Sequence, residues 1–267
     1  MIMTPWIFVD SGFRSGTENM QLDDWLARYW FSETRQPVFR LYRWSPYTLS
    51  LGYHQHYGDV DIGKLNDAGF DLVRRPTGGR AVFHAEEITY SIVMDATGKR
   101  VDEVYEIISR VLASALQAAG YEVEFAAGNQ NFSDFYRKKH SVSCFTASSD
   151  YEIQIAGRKL VGSAQRRYAR PDGGVTALQH GSILTGPSHQ QLVDFLTIDD
   201  SHRQKLKKII RQSSIDLSEL STKPVEYDLL KKHLKDSAMK HLAGGYFDDF
   251  DHESFTAKMN ENVYNPE

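Results

Sequence analysis

The chemistry of this chain starts from a lone thiol and a lysine that follows it. Cys144 is the only cysteine in 267 residues, and Lys159 comes fifteen positions later. A thiol is a useful nucleophile only as its thiolate, and a nearby ammonium group lowers its pKa. If the fold brings Lys159 beside Cys144, the pair predicts covalent acyl transfer. If it does not, Cys144 is a small apolar residue, as most free cysteines are.

A glycine turn flanked by arginines is the second chemical feature. The run Arg-Arg-Pro-Thr-Gly-Gly-Arg starts at Arg74 and Arg75, and its glycines are Gly78 and Gly79. Adjacent glycines let the backbone approach a ligand and adopt positive φ angles. Exposed amides in such a turn bind an anion or a carbonyl oxygen, although a plain hairpin is the alternative. The spacing matches neither a Walker A loop nor a Rossmann fingerprint.

Two histidines lie in glycine-containing segments. His84 follows the glycine turn, and His180 precedes Gly181 in a strand whose interior glycine indicates a bulge or the close approach of a ligand. The chain has ten histidines, so such neighbours are weak support for a cysteine–histidine dyad. We therefore expect both to shape a pocket rather than act as the base. His54 and His56 would share one face of a strand, but no clear third metal ligand accompanies them, which favours a surface pair.

Composition restricts the class of protein. Hydrophobic residues make up 41% and charged residues 25%, which is typical of a globular protein. The net charge of -4 provides no overall basic field for nucleic acid or anionic lipid. A single cysteine excludes an internal disulfide and a cysteine-based metal cluster, which favours a reducing cytoplasm. We expect no signal peptide and no membrane span, because no apolar run approaches ~18 residues.

Periodicity predicts the elements that must position these residues. Helical spacing of apolar residues predicts helices over residues 17–30 and 102–119. Strand patterns predict one hairpin over residues 81–94 and another over residues 151–164. Strands with a few helices interleaved favour an α+β fold, in which mixed or antiparallel sheets pack against helices.

The character of the sequence changes after about residue 200. From there it is helical and charged, and it contains less that suggests catalysis. We therefore predict two units, a catalytic domain over residues 1–200 and a small C-terminal helical appendage over residues 201–267.

Three segments together resemble the biotin/lipoate ligase and octanoyltransferase superfamily. Residues 74–80 resemble its Arg-Arg-x-x-Gly-Gly signature, the run from Lys159 resembles its Lys-x-x-Gly-Ser-Ala segment, and residues 180–184 are similar to its third shared strand. They occur in the family's order, and the resemblance implies the ligase-like catalytic fold over about residues 6–195. It implies substrate contacts for Arg74, Arg75, Gly78, Gly79, His84, Gly162, Ser163, Ala164, His180 and Gly181.

The cysteine resembles that of one branch, the octanoyltransferases of Gram-positive type. In that branch a cysteine carries the acyl group as a thioester, and a lysine fifteen positions later lowers its pKa. The resemblance thus implies catalytic roles for Cys144 and Lys159, with no metal or nucleotide cofactor. It implies an octanoyl acyl carrier protein as donor, and as acceptor a lysine on the glycine-cleavage H protein or a dehydrogenase lipoyl domain. The acyl chain is expected in a slot lined by Val82, Val161 and Ile183.

Two alternatives stay open at this point. One is a lipoate–protein ligase that uses ATP and Mg²⁺, in which Arg74, the glycine turn and Lys159 would hold the adenylate phosphate. The other is a non-catalytic protein of the same fold that binds acyl carriers. The basic residues 203–211 are typical of a solvated helix face, and a docking surface for an acidic acyl carrier protein is the sharper interpretation. The preference for octanoyl or lipoyl is not readable from the sequence.

Overall fold

The computed structural model describes residues 5–125, 152–220, 225–242 and 247–261. Its α-helices, in chain order, are α1 Gly16–Trp25, α2 Phe31–Thr34, α3 Ile62–Asp67, α4 Val101–Ala118, α5 Asp200–Ser213, α6 Tyr227–His241 and α7 His252–Glu261. Its strands are β1 Trp6–Arg14, β2 Val38–Trp44, β3 Thr48–Leu51, β4 Asp71–Arg74, β5 Val82–His84, β6 Glu87–Asp95, β7 Glu124–Phe125, β8 Ile153–Ile155, β9 Arg158–Ala169, β10 Val175–Leu184 and β11 Phe247–Asp249. Across these ranges, every helix is too short or too polar to cross a bilayer.

Two sheets form the framework of the described ranges. The larger has eight strands in the order β11-β1-β2-β6-β10-β9-β8-β7. In it β1 runs parallel to β2 and β11, and the other neighbours are antiparallel. The smaller sheet has the order β4-β3-β5, with β3 parallel to β4 and antiparallel to β5. Mixed sheets packed against helices confirm the predicted α+β class.

The two predicted hairpins have different outcomes. Strands β8 and β9 pair antiparallel around Ala156 and Gly157, whose φ angles are 50° and 71°, as the hairpin over residues 151–164 requires. The hairpin over residues 81–94 is wrong, because β5 pairs with β3 in the small sheet whereas β6 pairs with β2 and β10 in the large one. Alternation identifies a strand but not its partner, and β6 is a central strand that is buried on both faces.

The first helix begins at a capping box and is followed by a π-helical segment. Ser15 forms a capping box with Glu18, because its hydroxyl accepts from the Glu18 amide and the Glu18 carboxylate accepts from the Ser15 amide. A five-residue π-helical segment, Leu26–Trp30, follows α1. The wider turn shifts the phase of the apolar stripe. Consequently Trp30 is buried, whereas Tyr29 is 40% exposed.

Helices cover both faces of the large sheet. On one face, α4 and α6 share a core that includes Val111, Leu112 and Leu234. On the other face, α1 packs against alternate strand residues such as Ile7 and Val93. Elements that follow residue 200 contribute to these cores, since α6 packs on α4 and α7 buries Phe255 against α1. The boundary at residue 200 stays a prediction, and these contacts join the two predicted units.

Candidate active site

A slot lies between the large sheet, α1 and the small sheet. Several residues with predicted substrate contacts line it, namely Arg75, His84, Gly162, Ser163, Ala164, His180 and Gly181. The other lining residues are Met20, Tyr42, Trp44, Val82, Thr89 and Ser182. Val82 is therefore in the slot as predicted, but Val161 and Ile183 are not. Their side chains lie on the opposite face of the sheet, in the core beneath α4, because successive residues of a strand point to opposite faces.

The floor of the slot is a row of residues in register across four adjacent strands. Gly162 of β9 pairs with Ser182 of β10, Ser182 pairs with Thr89 of β6, and Thr89 pairs with Tyr42 of β2. Such a row runs perpendicular to the strands, at ~4.8 Å per strand. The slot therefore crosses the sheet rather than following one strand.

His180 is held at both ring nitrogens. Its Nδ1 lies 2.9 Å from Asp23 Oδ2, and its Nε2 lies 2.6 Å from Thr77 Oγ1. An ionised carboxylate only accepts, so Nδ1–H donates to Asp23 and Nε2 accepts from the Thr77 hydroxyl. Burial lowers the pKa of His180, which favours this neutral form. The histidine thus connects α1 to the glycine turn.

Asp23 collects three donors in the interior of the protein. Besides His180, it accepts from Arg40 Nη1 and from the Tyr42 hydroxyl, each at 2.8 Å. Burial alone would raise the pKa of Asp23, but the His180 hydrogen bond and the Arg40 charge outweigh burial and hold this pKa below its ordinary value. Asp23 therefore carries a negative charge in the wall beside the slot.

His84 is held in the same way from the small sheet. Its Nδ1 lies 2.8 Å from Glu87 Oε1, its Nε2 lies 2.7 Å from Ser50 Oγ, and its ring stacks on Trp44 with centroids 4.0 Å apart. Burial would raise the pKa of Glu87, but the His84 imidazole and hydrogen bonds that include one from Thr89 outweigh it, and the pKa is lowered. Both histidines thus form part of the slot wall, and the substrate contacts expected of them stay a prediction.

Arg75 organises the glycine turn from within. It is buried, and its guanidinium donates to the backbone oxygens of Ser50, Gly78 and Arg80 at 2.6–3.2 Å. Gly79 has a φ of 93°, which favours glycine. The turn is therefore built from inside by one arginine.

Arg74 was expected to contact the substrate, but it does not line the slot. Its Nη1 donates to the backbone oxygens of Gly52, Tyr53 and Gln55 at 2.6–3.0 Å, and its guanidinium lies over the ring of Tyr57. Arg74 therefore braces the loop after β3. Like Gly78, Gly79 and Lys159, it is absent from the slot lining in the described part of the chain.

Lys159 lies near the start of β9, three residues before Gly162. Its side chain is buried, and Nζ donates to Glu152 Oε1 in an ion pair. Its backbone oxygen accepts from Ile215 at 3.0 Å. Buried ions require partners because a low-dielectric interior solvates them poorly. Glu152 therefore holds the ammonium group, although no sequence motif indicated this partner.

Some predicted features are absent from the described part of the slot. Cys144 is outside the described residues, so its distance from Lys159 stays a prediction. His54 and His56 are exposed, and the described ranges contain no group of three His, Cys, Asp or Glu side chains suited to a metal ion. Most basic residues of 203–211 are exposed on α5, although Lys207 pairs with Asp194.

Several residues of the site carried no recognisable sequence signal. Asp23 and Glu87 each bind one slot histidine, yet Asp23 lies in a polar stretch of α1 and Glu87 is the first residue of β6. Arg40 alternates with apolar residues in β2, but it is fully buried against Asp23. These pairs join residues that are far apart in sequence or lie on different elements, so no local sequence spacing predicts the contacts.

The chain is similar to known proteins over most of its length. The model of the lipoyl protein ligase A/B catalytic domain matches residues 15–238. An octanoyltransferase LipM from Kyrpidia tusciae is 35% identical over 246 residues, which cover 90% of this chain and 88% of that protein. The octanoyltransferase LipM from Bacillus subtilis is 36% identical over 242 residues, which cover 86% and 84%.

The fold has a solved counterpart. A bi-partite lipoate protein ligase from Thermoplasma acidophilum superposes with a TM-score of 0.74 at 19% identity, and the match covers 99% of this chain and 95% of that one. At this identity the likeness concerns the fold alone. The domain match and the two sequence relatives show that the chain belongs to the lipoyl protein ligase A/B catalytic domain family.

Proposed function

We propose that this chain is an octanoyltransferase that moves an octanoyl group from acyl carrier protein, through a cysteine thioester, to a lysine of a lipoyl-carrier protein. The observation that carries the proposal is its identity of 35% and 36% to two octanoyltransferases over most of its length. The slot across the sheet supports it, because an apolar acyl chain needs a narrow channel with a buried end. In this proposal the enzyme is located in the cytoplasm and acts in lipoate biosynthesis.

The first half-reaction forms an acyl-enzyme. The thiolate of Cys144 attacks the carbonyl carbon of the octanoyl thioester, the bond to the carrier sulfur breaks, and the carrier thiolate leaves and takes up a proton. Lys159 supplies positive charge that favours the Cys144 thiolate. During the attack the carbonyl oxygen of the octanoyl group becomes an oxyanion, and backbone amides of residues 162–164 and of the glycine turn stabilise it.

The second half-reaction forms an amide. The ε-amine of the acceptor lysine attacks the carbonyl carbon of the Cys144 thioester, a carbon–nitrogen bond forms, and the carbon–sulfur bond breaks. The proton lost by the amine returns to the Cys144 sulfur. The acceptor is a lipoyl domain, either the glycine-cleavage H protein or a dehydrogenase domain. A thioester is already activated, so the reaction consumes no ATP.

Intact-mass measurement tests the proposal. After the protein is mixed with octanoyl acyl carrier protein, its mass should rise by one octanoyl group, and Cys144→Ser should abolish the increase. Addition of lipoyl domain should discharge the adduct and yield octanoylated acceptor. A Cys144→Ser variant that still transfers octanoyl at the wild-type rate contradicts the proposal.

The same assay separates the alternatives. If acceptor modification requires free octanoate or lipoate together with ATP and Mg²⁺, the protein is a ligase. If the carrier binds but neither adduct nor product appears, the protein is a non-catalytic carrier-binding member of the family. Lys159→Ala is the companion variant, and we expect slower adduct formation with the Cys144 thiol still present.

A further inference from the structure

The slot has an open end and a closed end. Gly162 and Ala164 on β9 are half-buried, whereas Tyr42 and Trp44 on β2 are 0% and 1% exposed. Lys159 lies on β9, three residues before Gly162. The mouth of the slot is therefore at β9, the strand that carries Lys159, and the slot ends inside the protein at β2.

We infer that Met20 of α1 sets the length of the acyl chain by closing this inner end. The inference rests on the proposed function and adds the residue that limits the acyl chain to octanoyl length. Met20 is 6% exposed, lines the slot, and packs with Tyr42, Trp44 and Val73. It is the lining residue that α1 contributes from above the sheet.

The depth of the slot agrees with a medium-length chain. From β9 to β6 the floor spans two strand spacings, about 10 Å. An extended octanoyl chain reaches about 9 Å, since its carbon–carbon bonds of ~1.5 Å follow a zigzag. With its carbonyl end at β9, the chain therefore places its terminal methyl group near Thr89 of β6, next to the rings of Tyr42 and Trp44 on β2. A longer chain would meet Met20 and these rings.

The rings at this end are anchored, and the methionine is not. The Tyr42 hydroxyl donates to Asp23 at 2.8 Å, and Trp44 Nε1 donates to Thr89 Oγ1 at 2.7 Å. Within the described ranges, no hydrogen bond holds the thioether of Met20. Methionine is unbranched and adapts to its surroundings. A change at position 20 therefore alters the depth of the slot and leaves the polar network of the wall in place.

An internal competition tests the inference. Equal amounts of hexanoyl, octanoyl and decanoyl acyl carrier protein are mixed with the enzyme, and the three adducts are quantified by intact mass. Met20→Ala removes three heavy atoms from the inner end, so the ratio of decanoyl to octanoyl adduct should rise at least tenfold. Met20→Phe should raise the ratio of hexanoyl to octanoyl adduct. Ratios within one reaction do not depend on how much of a variant is folded.

Met94→Ala is the matched control. Met94 has a similar exposure of 9%, but it lies on the opposite face of β6, in the core beneath α4. This variant makes the same cavity outside the slot, so it should lower stability and keep the wild-type ratios. Unchanged ratios in both Met20 variants, or an equal shift in Met94→Ala, overturn the inference. A wild-type protein that forms no adduct with any chain instead overturns the proposed function.

Discussion

The imidazole of His180 lies 2.9 Å from the carboxylate of Asp23, and this buried contact ties the wall of the slot to α1. It is one link in a longer chain of hydrogen bonds. At its other ring nitrogen, His180 is hydrogen-bonded to Thr77 of the glycine turn. Asp23 also accepts from Arg40, and Arg40 in turn donates to the Ser11 hydroxyl. Each member satisfies its neighbours in the interior, so the loss of one leaves buried polar groups without partners.

The pH dependence of stability follows from the state of His180. Its folded pKa lies below that of an unfolded histidine, about 6.5, because of burial. As the pH falls below about 6.5, the unfolded chain binds the proton first, and the free energy of unfolding decreases. We expect His180→Gln to make this decrease shallower, by up to about 1.4 kcal/mol per pH unit.

Urea unfolding of both proteins from about pH 8 to about pH 5 measures the effect. His189 and His252 also have pKa values lowered mainly by burial, so the variant should retain part of the slope. Identical slopes for the variant and the wild type would contradict a lowered pKa of His180 in the folded protein.

The hydroxyl of Thr77 should matter more than its methyl group. Thr77→Val leaves His180 Nε2 buried without its donor, so we expect the free energy of unfolding to fall by about 1–3 kcal/mol. Thr77→Ser keeps the hydroxyl and is the matched control, with a smaller expected loss. Chemical denaturation measures both. Equal losses would mean that packing of the methyl group, rather than the hydrogen bond, holds the turn.

Gly52 is required by the close approach of two backbones. A Cβ atom on Gly52 would lie 2.0 Å from the backbone oxygen of Gly79, which is sterically forbidden. We expect Gly52→Ala to displace the glycine turn, lower stability by about 1–3 kcal/mol or more, and slow octanoyl transfer. Gly58→Ala is the control, because a Cβ atom there meets open space. A Gly52→Ala variant as stable and active as Gly58→Ala would contradict the observed turn.

The ion pair of Lys159 and Glu152 should behave as a coupled unit. Glu152→Gln removes the carboxylate that pairs with a buried ammonium group, so we expect a loss of about 3–5 kcal/mol in the free energy of unfolding. The double variant Glu152→Gln with Lys159→Met should recover part of that loss, because neither charge of the pair remains. Denaturation of the wild type, both single variants and the double variant completes the cycle. Additive losses would show that the two charges do not interact.

Some parts of the fold were predictable because they are local. The hairpin of β8 and β9 follows from a turn with glycine between two alternating runs, and α4 follows from a regular apolar stripe. The pairing of β5 was not predictable in this way. Short connections usually join neighbouring strands, but here residues 85–86 lead from one sheet to the other. The partner of a strand is set by packing of distant segments, which alternation does not encode.

The sequence by itself identified the residues that are candidates for substrate contact, because a motif is a local arrangement of residues. It indicated Arg75, His84, His180 and residues 162–164, and all of these line the slot. Tertiary structure decided what holds them and where the slot ends. Asp23, Glu152 and Met20 acquire their roles only when strands and helices from distant parts of the chain pack together, since burial and register are properties of the whole fold.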